Sequence, residues 1–526
     1  MKNIILFNKF NKKSFFVIFL FIFSFLINQY YGNRGVFPID SFLIFDAGYN
    51  IVSGNHPFKD YWLITGPFLD YIQALFFLIF GVNWFSYVLH ASLLNVVFAL
   101  FSFYFFVNIG LKDVYAFIYS IGISILLYPP VGTPFIDIHS VIFCVMSMYS
   151  FSLGILLKKN LFWFLTPIFL IFSFFSKQIP SPYLALLFFI IFTFCFFFIK
   201  NINKKNLLYL FLGSIFSFFL IFSIFFINEI PIKNFLIQYI FYPFSLGEDR
   251  ISRLNIDFKN LFFQFKFIYF ALIPLVVSMF FLVRKNKKLT EKNELIISLL
   301  FLISLAIFIY TQLLTRNQIF IFFLIPIAAA YSHVYVIKYF NKKYLIYFIL
   351  IIFIISTTKY HLQFNHHKKF MELVSVDFHL AEDASKLDKR LSGLKWITPH
   401  YPENPKREIN LLIDIKNILS EVKEKKIIIT DYQFFSSLLK NKFASPNKWY
   451  DSLSIPDKKN KYYNSHKYFF LSKLEKNKIK YIYFIGREKH RMDFFSELSY
   501  ENECIVLKKI NELLTEFNVS KCKVIL

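Results

Sequence analysis

Three aspartates, Asp40, Asp46 and Asp60, fall within the stretch Pro38 to Pro67 (PIDSFLIFDAGYNIVSGNHPFKDYWLITGP), soon after the first long apolar run of a chain dominated by Phe, Ile and Leu. A carboxylate at the edge of a bilayer is costly unless it faces water, a partner or a substrate, so acids placed here point to function. In a partly dehydrated pocket a carboxyl pKa rises, and such a group can take the proton of a hydroxyl as general base. Asp40 opens a helix-like run, Asp46 follows less than two turns later, Gly54 closes the run, and Asp60 lies beyond it in PFKDYW. Two structural readings stand beside the chemical one. An acid ahead of a helix is also an N-cap, and the whole stretch has the composition of a solvated loop.

A second acidic element, TPFIDIHS, places Asp137 and His139 two residues apart. Both could reach one ligand from an extended loop, or they form an ordinary turn. Asp and His also ligate metals, but two ligands without a third do not define a centre, so no obligatory divalent metal is expected and no other cofactor is assigned. Basic residues sit near several span ends: Lys177 followed by Gln178, Arg250 and Arg253 in GEDRISR, and Arg316 in LLTRNQ. Outward-facing ends are ordinarily poor in Lys and Arg, so the group as a whole suits an anion such as phosphate. Each of them singly is also explained by snorkelling to lipid head groups.

The elements that would carry these residues follow from composition. With 526 residues, 56% of them hydrophobic and 77 of them Phe, the chain is too apolar for an ordinary soluble multidomain protein and is expected to be a polytopic α-helical membrane protein. Its formal charge of +25 comes largely from short Lys and Arg clusters flanking apolar runs, a topology signal rather than a nucleic-acid-binding face. Eleven spans are expected, at 15–31, 85–107, 114–131, 140–157, 161–176, 181–199, 206–228, 261–283, 294–314, 319–337 and 344–358. The short run Phe68 to Val82 contains Asp70 and Gln73 and reads as an interfacial helix. With that choice the Lys-rich loops all fall on the cytoplasmic side, the N-terminus is cytoplasmic, and residues 32–84 form an outer loop.

The division into domains is expected at residue 358. Residues 1–358 would be the multi-span domain, and 359–526, charged and without a span, an extracytoplasmic α/β domain. KKIIIT (425–430) and KYIYFI (480–485) read as buried strands, and 409–423 and 508–517 as helices. No Gly-rich phosphate loop follows either strand, so no nucleotide is assigned. Cys144 and Cys195 lie inside spans and read as small core residues. Cys504 and Cys522 lie in the tail, where an oxidising compartment would favour a disulfide.

The layout resembles the membrane glycosyltransferases of the GT-C fold, in particular bacterial relatives of the protein O-mannosyltransferases and of the lipid A aminoarabinose transferase. The resemblance covers roughly residues 10 to 340. It lies in a first span, an outer loop with Asp40, a helix ending in Ser53-Gly54-Asn55, PFKDYW, Gly66-Pro67, an interfacial helix ending Phe80-Gly81, and later Lys177-Gln178. It implies a polyprenyl-phosphate sugar donor, a glycan or lipid acceptor, and inverting single displacement with Asp40 as general base. It further implies that Lys177 and the outer arginines hold the departing lipid phosphate, with Asp60 and Gln178 among the substrate-binding residues. The family usually shows an acidic pair at the first position, whereas Asp40 is followed by Ser41, so Asp46 is a rival for the base.

These readings converge on transfer of a sugar into a cell-envelope glycan or lipid at the outer face of a bacterial cytoplasmic membrane. The alternative is a flippase or transporter for lipid-linked sugars. A transporter asks for charged or broken helices near mid-bilayer and for repeat symmetry, whereas the distinctive acids and bases here sit near span ends.

Overall fold

The computed structural model describes residues 12–128, 131–199, 201–252, 257–285, 289–315, 321–340, 342–451, 453–486 and 504–522. Eight helices among them are long and apolar enough to cross a membrane, as a polytopic helical membrane protein requires: Lys12–Gly32, Trp84–Asn108, Ile136–Leu157, Ser181–Ile199, Lys204–Ile227, Lys266–Val283, Lys292–Thr315 and Lys343–Met371. Three of the eleven expected spans are shorter helices, Asp113–Leu126, Asn160–Ser176 and Leu324–Tyr339, of 14, 17 and 16 residues. At 1.5 Å per residue these reach only about 21 to 26 Å, less than the ~30 Å hydrocarbon thickness. The first of them stops short of its apolar run because Pro129-Pro130 follows, and residues before a proline avoid the helical region. Phe68–Phe80 is a helix of 13 residues, ended by Gly81 at φ 82°.

The chain folds as two compact units, and neither follows the expected boundary at 358. One comprises residues 1–32, 91–219 and 253–370, and the other residues 33–90, 220–252 and 371–526. Of the tail, residues 371–526 group with 33–90 and 220–252, and residues 359–370 with the first unit.

The first unit is a helical bundle held by close packing and polar contacts between helices. Lipid tails are as apolar as Leu, so small residues and side-chain hydrogen bonds, rather than the hydrophobic effect, draw such helices together. Gly154 lies against the Trp163 ring, where an added Cβ would come within 2.8 Å. Ser24 and Ser124 hydroxyls pair at 2.6 Å, Asn28 donates to Ser92 Oγ at 3.0 Å, and Ser147 donates to the Thr166 carbonyl at 2.7 Å. Cys144 and Cys195 are free and buried, Cys144 lying 3.0 Å from Ser173 Oγ.

The second unit mixes short helices with a small sheet. A two-residue ladder pairs β1 (Glu382–Asp383) with β2 (Lys395–Trp396). The main sheet has the order β3-β4-β6-β5, with β3 Lys426–Thr430, β4 Tyr481–Ile485, β5 Val506–Lys509 and β6 Leu514–Asn518. β3 and β4 run parallel, joined by a crossover that contains helix Tyr463–Asn477, while β6 is antiparallel to both β4 and β5. Both strands expected from the sequence are present, and the helix expected at 409–423 spans Pro405–Glu421, capped by the Asn404 side chain on the Arg407 N–H. Ile427, Ile429, Ile482, Phe484 and Phe517 pack against Phe470, Leu471 and Leu474 of the crossover helix.

The helix expected at 508–517 is a β-hairpin instead. The Asn511 side chain accepts from the Leu513 and Leu514 N–H groups at 2.9 and 2.8 Å, closing a turn, and Phe517 takes a place in the sheet core. Local hydrogen bonding by Asn and burial in the sheet outweigh a helix-like spacing of apolar residues. Cys504 and Cys522 form a disulfide across this hairpin, with Cα atoms 5.1 Å apart.

Candidate active site

The second unit holds Asp40, Asp46 and Asp60, and each is positioned differently. Asp40 lies in the first turn of the short helix Pro38–Ser41, half-buried. Pro38 starts that helix because its missing N–H would be unpaired there in any case. Asp46 lies on Leu43–Val52, a helix that buries Leu43, Ile44, Phe45 and Ala47. Asn50, one turn on, donates Nδ2 to Asp46 Oδ2 at 2.9 Å. Asp60 closes the turn that follows, accepting the His56 N–H at 2.9 Å and facing the Lys473 ammonium at 3.9 Å.

Asp46 has the electrostatics of a poised base. Burial, with a smaller push from the nearby Asp70 charge, lifts its carboxyl to about 7 in all. The Asn50 amide, the Lys448 charge and the Ser436 hydroxyl oppose the rise. Near neutral pH such a group is present in both protonation states, which is where general-base catalysis is most effective.

Asp70 and Lys448 are the partners that local sequence reasoning did not find. Asp70 is wholly buried on helix Phe68–Phe80, and Lys448 Nζ bridges both its oxygens at 2.7 and 2.9 Å. The Tyr61 hydroxyl lies 3.5 Å from Asp70 Oδ2. Lys448 comes from the far end of the chain and is positioned by backbone pairing. Its N–H donates to the Trp62 carbonyl at 3.1 Å, and the Trp62 N–H to the Pro446 carbonyl at 2.8 Å. The fixed ammonium then places a positive charge where it acts on both Asp70 and Asp46. One signal in the sequence pointed this way: an acid in the apolar run FLDYIQALFF needs a counter-charge. Nothing in the sequence says which of the 58 Lys and Arg residues supplies it.

The first unit holds Asp137, His139, Lys177 and Gln178. The expected loop around Asp137 and His139 is helical, because Ile136–Leu157 begins early enough to include both residues in its first turn. An acid in a first turn meets the positive end of the helix dipole. Lys177 follows helix Asn160–Ser176 in extended conformation, with its N–H on the Ser173 carbonyl at 3.0 Å, and its ammonium forms an ion pair with Asp137. The acid of one expected element and the cation of another are thus one pair. His139 is buried, its ring 3.2 Å from the Tyr128 hydroxyl and its Nδ1 2.9 Å from the Phe135 carbonyl. Gln178 is half-buried in the bend after Lys177.

Of the expected arginines, Arg250 is described only as a residue of helix Tyr242–Ser252, and Arg253 and Arg316 lie outside the described residues. Among the described residues no group of three His, Cys, Asp or Glu side chains is arranged to hold a metal ion. No protein-family model matches the chain, and no curated protein is significantly similar to it.

Proposed function

We propose that the protein is a membrane glycosyltransferase of GT-C type, moving a sugar from a polyprenyl-phosphate donor to a glycan or lipid hydroxyl at the outer face of a bacterial cytoplasmic membrane, with Asp46 as general base. The observation that carries this reading is the Asp46 carboxyl, half-buried, held by Asn50 and lifted to about 7. Asp46 Oδ accepts the proton of the acceptor hydroxyl as the hydroxyl oxygen attacks the anomeric carbon. The bond from that carbon to the phosphate oxygen breaks, and the polyprenyl phosphate leaves with the bonding pair, inverting the centre. An ammonium at the donor phosphate would offset the charge that grows on departure, and the GT-C resemblance offers Lys177, which Asp137 holds within the first unit, for that role. Asp70 and Lys448 are positioning residues that hold the helices around the base.

The test is sugar transfer from radiolabelled polyprenyl-phosphate sugars by the purified, detergent-solubilised protein, with wild type compared against Asp46→Asn, Asp40→Asn and Lys177→Ala. Loss of transfer in Asp46→Asn with donor binding retained supports the reading. Loss confined to Asp40→Asn moves the base to that residue. Movement of lipid-linked sugar across proteoliposomes without transfer from any donor would overturn the transferase in favour of the flippase.

A further inference from the structure

A cavity of about 470 Å³ opens in the second unit, and its lining is unlike that of an apolar lipid groove. Two helical faces build it. Asn464, Tyr468 and Lys473 lie along one side of helix Tyr463–Asn477, and Lys233 and Gln238 belong to the helical segment 232–241, with Trp62 at the base.

Two buried donors at this cavity have no acceptor. Gln238 is 1% exposed, and its Oε1 accepts the Leu63 N–H at 3.0 Å, which fixes the amide so that Nε2 cannot exchange places with the oxygen. Nε2 is then left without a partner, as is Nε1 of Trp62, which is 2% exposed. A buried donor left unpaired costs about 1 to 3 kcal/mol, so two of them at one cavity are expected where a ligand supplies the acceptors. Both are preorganised: the Trp62 backbone is clamped between residues 446 and 448, and its ring stands edge-on to His466 at 4.9 Å.

The remaining groups set the class of ligand. Tyr468 is 62% exposed at the mouth and offers a flat apolar face, while Asn464 and the two buried donors suit hydroxyl and ring oxygens. Lys233 is exposed, and Lys473 is half-buried with the Asp60 carboxylate no nearer than 3.9 Å, so its ammonium keeps donors for an anion. A bare phosphate would use the lysines and leave the aromatic face and much of the volume unfilled.

We propose that this cavity is a binding site for an acidic saccharide, a chain of sugars carrying carboxylates, with Trp62 and Gln238 donating to its oxygens, Tyr468 packing on a ring and Lys233 and Lys473 facing its charge. The assignment goes beyond the transferase reading and stands without it, since no residue of the proposed reaction lines the cavity. The experiment is calorimetric titration of the full-length protein in detergent with tetragalacturonate, with a neutral glucose tetrasaccharide and with ATP. Saturable binding of tetragalacturonate is expected, with the neutral sugar and ATP at least about tenfold weaker, and with a loss of about tenfold in each of Lys473→Gln and Tyr468→Ala. Tyr468 is a surface residue whose truncation leaves the fold intact, and Asp46→Asn is expected to bind as wild type does, which separates this site from the transferase. Absence of tetragalacturonate binding, equal or tighter binding of the neutral sugar or ATP, or binding indifferent to Lys473→Gln and Tyr468→Ala would overturn the assignment.

Discussion

Asp46 and Glu408 are both carboxylates drawn into the second unit, and what surrounds them differs. Glu408 is fully buried on helix Pro405–Glu421, and three donors converge on it at 2.8 Å: Trp396 Nε1 and Thr398 Oγ1 on Oε2, and the Tyr432 hydroxyl on Oε1. Asp46 is half-buried, with the Asn50 amide as its nearest donor and a carboxyl lifted to about 7. A carboxylate held by three fixed donors serves the fold, because most of its roughly four acceptor sites are taken. One that is dehydrated but undersupplied keeps a lone pair for an incoming proton. Burial alone does not separate a structural acid from a chemical one; the count of donors does.

The contrast can be broken most forcefully at Asp46. Asp46→Asn is expected to lower transfer by about 10²- to 10⁴-fold while donor binding and folding persist. The paired prediction concerns stability. The folded Asp46 holds its proton up to about 7, whereas an unfolded Asp releases it near 4, so between these values the folded state binds more protons and its stability falls as pH rises. Asp46→Asn removes that fall, and thermal melts at pH 8 should place the variant at or above wild type. A melt well below wild type would class Asp46 with Glu408.

Next in size is the Asp70–Lys448 pair. Lys448→Ala strands a wholly buried carboxylate and is expected to cost about 3 to 5 kcal/mol in denaturant unfolding. The double variant Asp70→Asn with Lys448→Met should recover most of that loss, because breaking such a pair costs more than replacing it. Glu408→Gln comes after it: the amide sets its own N–H groups among donors, for an expected loss of about 1 to 3 kcal/mol with transfer per folded molecule unchanged. The smallest effect sharpens the comparison through pH. Wild-type transfer should rise with pH through about 7 as Asp46 releases its proton, and Asp40→Asn should leave that midpoint in place. A midpoint that disappears in Asp40→Asn would instead identify Asp40 as the titrating base.

Much of this arrangement was legible in the sequence. Apolar runs with basic flanks located the eight long apolar helices among the described residues, and β-branched runs located β3 and β4, because these signals are local and periodic. The acids of the loop after the first helix stood out as charges in an apolar chain. The hairpin Val506–Asn518 was not legible, because KKINELLTEF has helical spacing and its strand conformation is imposed by pairing with β4. Nor was Lys448 as the partner of Asp70, since a contact between residues 378 positions apart leaves no local pattern. The Asp137–Lys177 pair was half legible: both residues were singled out, but only the early start of helix Ile136–Leu157 makes them one element.

The second unit is built from three separated stretches of chain, and this bears on how the protein is made. Asp70 leaves the ribosome long before Lys448, and at about 5 to 20 residues per second the interval of 378 residues is roughly 20 to 75 s. Throughout that time the helix carrying Asp70 has no counter-charge and the loop carrying Asp46 cannot close into its final surroundings. The proposed base therefore acquires its raised pKa only after all the membrane helices have been synthesised. A chain cut short before residue 448 would insert its helices yet leave Asp46 outside its final surroundings, so on the proposed reading synthesis itself withholds activity from incomplete copies.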